Sequence, residues 1–258
     1  MDTDRRRQLV NLAVFAVTVV VNGLAVALPL NGQTTGEISD RFPVLVTPAN
    51  YVFAIWSVIY TLLLIFSIYQ ALPARATDPA LRAIGYLPAL SGILNTIWIF
   101  LWHFDAFLAT VPVMVALLLT LIAIYVRLGI GTRPAISRAE ALLVRLPWSV
   151  YLGWITIATI ANVATTLYWL DWDGLGLAAE SWAILVLVVG IGIAALNGLN
   201  RRDVAYGAVI VWAYVGIALK QAGTPAVVTT ALVGAVLIGL LAARSLLLAI
   251  RGARVPSP

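Results

Sequence analysis

The feature that most limits how this chain can fold is a recurring apolar run of membrane-spanning length. Eight such runs lie near residues 9–28, 50–71, 81–102, 106–127, 144–168, 179–197, 203–221 and 226–248. Each is close to the ~20 residues that a helix needs to cross a hydrocarbon core. A backbone in lipid has no water to bond its amides, so spans of this length fold as helices, whose hydrogen bonds are internal. Composition agrees: 62% of the 258 residues are hydrophobic and 10% charged, with a mean hydropathy of +1.00. A soluble domain carries about a quarter charged residues. The expected fold class is all-α, a polytopic membrane helix bundle of about eight transmembrane helices. The first run is itself long enough to span and no small-residue cleavage site follows it, so it reads as a retained helix rather than a leader. There is no cysteine, which removes disulfides, thiolate catalysis and cysteine metal sites.

Charge placement orients the spans. With the N-terminus in the cytoplasm, Arg5, Arg6, Arg7, Arg75, Arg82, Arg127, Arg133, Arg138, Arg145, Arg201, Arg202, Arg244, Arg251 and Arg254 all fall inside, and only Arg41 and Lys220 fall outside. Fourteen of sixteen basic residues on one side is the positive-inside pattern. Both termini are therefore expected in the cytoplasm. The pI of about 9.8 is a topology signal, and no nucleic-acid partner is expected.

The chemistry concentrates in three spans. The run from Arg145 to Asn162 carries Pro147, Tyr151, Trp154, Ala158 and Asn162 at steps of 4, 3, 4 and 4, on one helix face. An Asn at membrane depth is costly unless its amide finds a partner, so this face points inward. Such a stripe suits either a pocket wall or a tightly packed helix seam. The second span begins after Pro48 and puts Phe53, Trp56 and Tyr60 on one face, and the third pairs Asn95 with Trp98 and Trp102. Read with alternating directions, these faces fall at similar heights beneath the first outer loop, 29–49. The expectation is an apolar pocket in the outer half, walled by the second, third and fifth spans and lidded by that loop. Such a pocket suits a flat hydrophobic ligand, with indoles stacking on it and Asn amides at its polar edge. Trp102, Trp169, Trp172 and Trp182, near helix ends, read as interfacial anchors. His103 reads as a headgroup-level residue and Lys220 as one that snorkels to the interface. Leu121, Tyr125 and Arg127 fit a loose sterol-contact pattern. The sequence shows no Ser/His/Asp set, metal cluster or phosphate loop, and no acid inside a span to relay protons.

Taken together, these residues resemble the TspO/MBR family, the tryptophan-rich sensory proteins related to the mitochondrial translocator protein. Three marks appear in order: Pro48 followed by Trp56 and Tyr60; Asn95 with Trp98; and Pro147, Trp148, Trp154 and Asn162. The resemblance covers residues 1–168, a five-helix unit, and leaves 169–258 as three additional helices. Departures are a single proline before the second span, a tightened Phe53-x-x-Trp56 spacing, and Phe42 as the nearest aromatic where the family often has a first-loop Trp. The resemblance implies a ligand pocket under the first loop for tetrapyrroles such as protoporphyrin or haem, or for sterol-like molecules, with no cofactor required. Its ligand-binding residues here would be Pro48, Phe53, Trp56, Tyr60, Asn95, Trp98, Pro147, Tyr151, Trp154, Ala158 and Asn162. It implies sensing or translocation; the alternatives are a multi-helix transporter of a small apolar solute and a light-dependent porphyrin-degrading protein. Expected partners are membrane lipids and the ligand, with a homodimer left open, in a bacterial or archaeal cytoplasmic membrane.

Overall fold

A computed structural model describes residues 3–28 and 30–252. Pro29 and Arg254, used above for the loop boundary and the charge balance, lie outside the described residues. Among the described residues the secondary structure is helical throughout: α1 Thr3–Ala27, α2 Thr35–Asp40, α3 Ile55–Ala71, α4 Pro79–Ile84, α5 Leu87–His103, α6 Phe107–Arg127, α7 Leu146–Trp169, α8 Ala179–Asn200, α9 Val204–Lys220 and α10 Pro225–Gly252. Six segments are long and apolar enough to cross a membrane: Thr3–Ala27, Asn50–Ala71, Phe107–Arg127, Glu140–Trp169, Ala179–Asn200 and Pro225–Ile250. The two shorter apolar helices, α5 and α9, have 17 residues each, about 25 Å of rise against a core of about 30 Å. The molecule is a helical, integral, multi-pass membrane bundle.

Local chemistry sets the boundaries. The expected span 81–102 divides because Gly85 takes φ 55 and closes α4, and Pro88 then starts α5. Only glycine enters that left-handed region without a Cβ penalty. Asp78 caps α4 by accepting from Ala80 N at 2.9 Å, and Asp203 caps α9 by accepting from Ala205 N and Tyr206 N at 3.1 Å each. Such caps satisfy the free amides of a first turn. A π-helical turn, Glu140–Arg145, leads into α7. Arg145 closes it by donating Nε to Glu140 Oε1 at 2.8 Å.

The first outer loop is not a plain loop. It contains α2, opened by a capping box in which the Thr34 hydroxyl accepts from Glu37 N and the Glu37 carboxylate accepts from Thr34 N at 2.7 Å. The T-x-x-E pattern at 34–37 encodes it.

The tertiary order places α7 at the centre, against α3, α6 and α9, with every side chain from Pro147 to Ile157 buried. α1, α3, α5, α6 and α7 form one group. α8 and α10 pack on α9, and α9 joins them to α7. At one end of the bundle the N-terminal turns of α1 are tied to the end of α3. Gln8 Nε2 donates to Gln70 O at 2.6 Å and to Leu72 O at 2.9 Å, and Gln70 Nε2 donates back to Gln8 O at 3.0 Å. Arg5 donates to Ala71 O, Arg7 to Ala76 O, and Arg82 pairs with Asp4. At the opposite end Arg41 pairs with Asp105 and Lys220 with Asp40.

Candidate ligand pocket

Phe53, Trp56, Tyr60 and Trp154 form one aromatic cluster. Trp56 stacks on Tyr60, with ring centroids 5.4 Å apart and 18° between planes. It meets the edge of Trp154 at 6.1 Å and of Tyr151 at 6.0 Å, and Phe53 meets Trp154 at 5.8 Å. Trp98 stacks on Trp102 at 5.3 Å. Edge and offset contacts of this kind add about 0.5–1.5 kcal/mol per pair beyond burial. Between the two groups lies an apolar cavity of about 40 Å³, lined by Thr35, Ser39, Pro48, Phe53, Trp56, Trp98, Trp102, Met114, Trp154, Ile157, Ala158, Ala161, Asn162 and Thr165.

Seven of the eleven expected site residues line this cavity: Pro48, Phe53, Trp56, Trp98, Trp154, Ala158 and Asn162. The other four do not. Tyr60 faces an adjoining cleft. Asn95 is a hydrogen-bond node: its Oδ1 accepts from Asn22 Nδ2 at 2.8 Å and from the Tyr60 hydroxyl at 3.4 Å, and its Nδ2 donates to the Tyr151 hydroxyl at 3.2 Å. Asn95 thus ties α1, α3, α5 and α7 together. Its amide is engaged within the protein, and the Tyr151 hydroxyl accepts one of those bonds, the arrangement of a helix seam. Pro147 starts α7 and lies outside the cavity lining. Asn162 does both jobs. It lines the cavity while accepting from Trp98 Nε1 at 3.4 Å and donating to Thr110 Oγ1 at 2.7 Å.

Two atoms of lining residues are unusual. Trp154 Nε1 and Thr165 Oγ1 are buried polar atoms with no hydrogen-bond partner. Leaving such a group unmatched costs about 1–3 kcal/mol. Both residues belong to α7, eleven positions apart and thus three turns along the same face.

Several expectations need correction. Trp102 is not an interfacial anchor. It is 4% exposed, lines the cavity and donates Nε1 to Thr35 O at 3.2 Å, which fastens the lid. His103, at the end of α5, is covered by protein rather than open to the headgroups. It is 1% exposed, with Nδ1 bonded to Ile99 O at 2.8 Å and Nε2 without a partner. It does not line the cavity. Lys220 reaches Asp40 on α2 at 2.6 Å instead of snorkelling freely. Leu121 and Tyr125 are buried, and the Tyr125 hydroxyl donates to Asp203 Oδ2 at 2.9 Å, so neither presents a face to membrane sterol. Sequence reasoning also passed over Thr35, Ser39, Met114, Ile157, Ala161 and Thr165. Thr165 continues the α7 stripe beyond Asn162, and extending the spacing by one step of three would have found it.

A second space adjoins the first. A cleft of about 520 Å³ runs between α1, α2, α3 and α5, lined by Asn22, Val26, Thr34, Thr35, Gly36, Glu37, Asn50, Phe53, Ala54, Trp56, Ser57, Tyr60 and Ile99. It shares Thr35, Phe53 and Trp56 with the smaller cavity, so those three side chains form the partition between them. The cleft lies at the end of α1 and α3 opposite the Gln8–Gln70 clasp.

The lid is fastened from α9. Ala49 N donates to Gly216 O at 3.1 Å and Trp212 Nε1 to Val52 O at 3.2 Å. Asp40 accepts from Lys220 and also from Asn50 Nδ2. Gly216 lies against Val52, and a Cβ there would overlap Val52 Cγ2. Glycine is required at that crossing.

The family model described as TSPO-like protein matches residues 8–244. That match continues past the five-helix group through α8, α9 and most of α10. No curated protein and no solved structure matches the chain.

Proposed function

Since the chain belongs to the TSPO-like family, we propose that it binds a flat hydrophobic ligand, of the tetrapyrrole or sterol-like class, in the tryptophan-walled cavity beneath α2. The observation that carries this reading is the pair of unpartnered polar atoms, Trp154 Nε1 and Thr165 Oγ1, in a wall that is mostly rings and aliphatic groups and whose other polar members are Thr35, Ser39 and Asn162. A ligand with an apolar body and a polar rim supplies what those atoms lack.

At about 40 Å³ the cavity holds one or two waters, well below the ~300–1,000 Å³ of ordinary ligand sites. Binding therefore requires the partition to move. Turning Trp56 and Phe53 joins the cavity to the 520 Å³ cleft and opens a route from the bilayer between α1 and α3. A porphyrin fits these residues as an organic ring stacked on indoles. Axial ligation of haem iron by histidine does not fit, because His103 lies outside the cavity. α9 serves this function by holding the lid, and α8 and α10 by holding α9. Eight spans with both ends in the cytoplasm complete the proposal, as does a role in sensing or carrying the ligand.

Protoporphyrin titration with tryptophan fluorescence as readout tests the site. Trp154→Phe keeps a ring in place and removes the bare Nε1; Thr165→Val is isosteric and removes the bare hydroxyl. Neither change breaks a hydrogen bond of the free protein, so thermal stability should hold or rise slightly. Affinity should fall by about tenfold for each, the equivalent of one hydrogen bond of about 1.4 kcal/mol. Unchanged affinity in both variants would place the ligand elsewhere.

A further inference from the structure

The geometry points to a second, separate site for an amphipathic cation, built where α8 meets the lid. A cavity of about 340 Å³ opens between the first outer loop, the end of α7 and the loop leading into α8. It shares no residue with the Trp154 cavity. Its floor is apolar, with Val44, Val46 and Ala183 all buried, and its rim carries the exposed Trp172 and Asp173 with Trp182 and Tyr168 beside them.

The rim is held in position. Trp172 and Trp182 meet at 5.1 Å with 55° between their planes, and Trp182 Nε1 donates to Gly174 O at 2.6 Å. Gly174 has φ +67, and a Cβ there would lie 3.2 Å from the Trp182 ring. Asp173 Oδ1 accepts from Leu175 N at 2.9 Å, and its Oδ2 accepts from no donor among the described residues. One carboxylate oxygen is thus committed to the turn, and the residue lines the same cavity as Trp172 and Trp182.

The surrounding charge selects the sign of the ligand. Asp171, Asp173 and Glu180 lie on this loop and the first turn of α8, and no Lys or Arg occurs from 146 to 200. The two basic residues at this end of the bundle are engaged elsewhere, Arg41 with Asp105 and Lys220 with Asp40. A cation gains from the carboxylate and from the electron-rich ring faces together, whereas an anion is repelled. A phosphate-bearing lipid headgroup would bring its own negative charge against the same acids. The apolar floor requires a tail. The ligand class is therefore a single-chain quaternary or protonated amine, drawn from the adjacent leaflet.

The experiment uses the full-length protein in nanodiscs of zwitterionic lipid, titrated with 11-bromoundecyltrimethylammonium, whose bromine quenches nearby tryptophan. The comparison probe is the same bromoalkyl chain carrying a sulfate. The cation should quench at least tenfold more tightly than the sulfate, and saturating protoporphyrin should not displace it. Asp173→Asn keeps the turn, because Asn caps as well as Asp, and should weaken the cation about tenfold while leaving the sulfate unchanged. Trp182→Phe should remove a large share of the quenching amplitude. Equal affinity for the two head groups, or an Asp173→Asn variant that binds the cation as before, overturns the assignment. Displacement by protoporphyrin would show one site rather than two.

Discussion

At the scale of single residues, the two buried asparagines have different roles that one alphabet letter conceals. Asn95 joins four helices through three hydrogen bonds to Asn22, Tyr60 and Tyr151. Interhelical bonds in membranes are worth about 0.6–2 kcal/mol each. Asn95→Leu should therefore lower stability by about 1–3 kcal/mol, read as a lower melting temperature in detergent, with a smaller effect on ligand affinity. Asn162→Leu should reduce both, because Asn162 lines the cavity as well as bonding Trp98 and Thr110. That both amides face inward was legible from the cost of burying them. Which one faced a cavity was not, since the side chains that meet Asn95 come from α1, α3 and α7 and share no spacing with it. Trp102 was misread for a related reason. A tryptophan at a helix end is an anchor only if nothing covers that end, and here α2 does.

At the scale of elements, the lid is a short helix held locally by its own cap and remotely from α5 and α9. The local fastening is the capping box. The Thr34 backbone amide and hydroxyl, bonded to the Glu37 carboxylate, hold its pKa below the ordinary 4.5. The ionised form is the bonded one, so the cap is complete above pH 4.5 and is lost only as pH falls through the lowered value. Amide exchange over residues 35–40 should accordingly be flat in amplitude near neutrality and rise only in acid below pH 4.5. Glu37→Gln, which can still form the box, should lack that acid step. Of the remote fastenings, the longest in sequence comes from α9. Lys220→Met should cost less than about 1 kcal/mol, since its pair with Asp40 is partly exposed, yet it should accelerate ligand exchange by removing the tie between α9 and Asp40, which keeps its bond from Asn50. Gly216→Val forces a side chain into Val52 and should destabilise by about 1–3 kcal/mol while opening the lid, measurable as faster porphyrin association. The T-x-x-E pattern made α2 readable in principle. Its clamp was not, because Asp40 and Lys220 are 180 positions apart and neither carries a motif.

At the scale of the whole molecule, hydropathy and the placement of arginine were enough to foresee a helical membrane bundle, because lipid leaves the backbone few alternatives. They were silent on how α8, α9 and α10 attach, since lipid-facing and helix-facing aliphatic side chains look alike in sequence. Topology is open to a direct check. Ile136 is 92% exposed in the loop before α7, and Ala178 is exposed before α8. With the charge-derived orientation, Ile136→Cys should label from the cytoplasmic side and Ala178→Cys from the other; the opposite pattern would invert the molecule. The reciprocal Gln8–Gln70 contact has one more effect at this scale. It joins α1 and α3 at one bilayer surface while a cleft parts them at the other. A pair of rods pinned at one end responds to lateral pressure in the leaflet where they are free. Conical or wedge-shaped lipids added to that leaflet alone should shift the rate of porphyrin uptake, and the same lipids in the pinned leaflet should leave it unaltered.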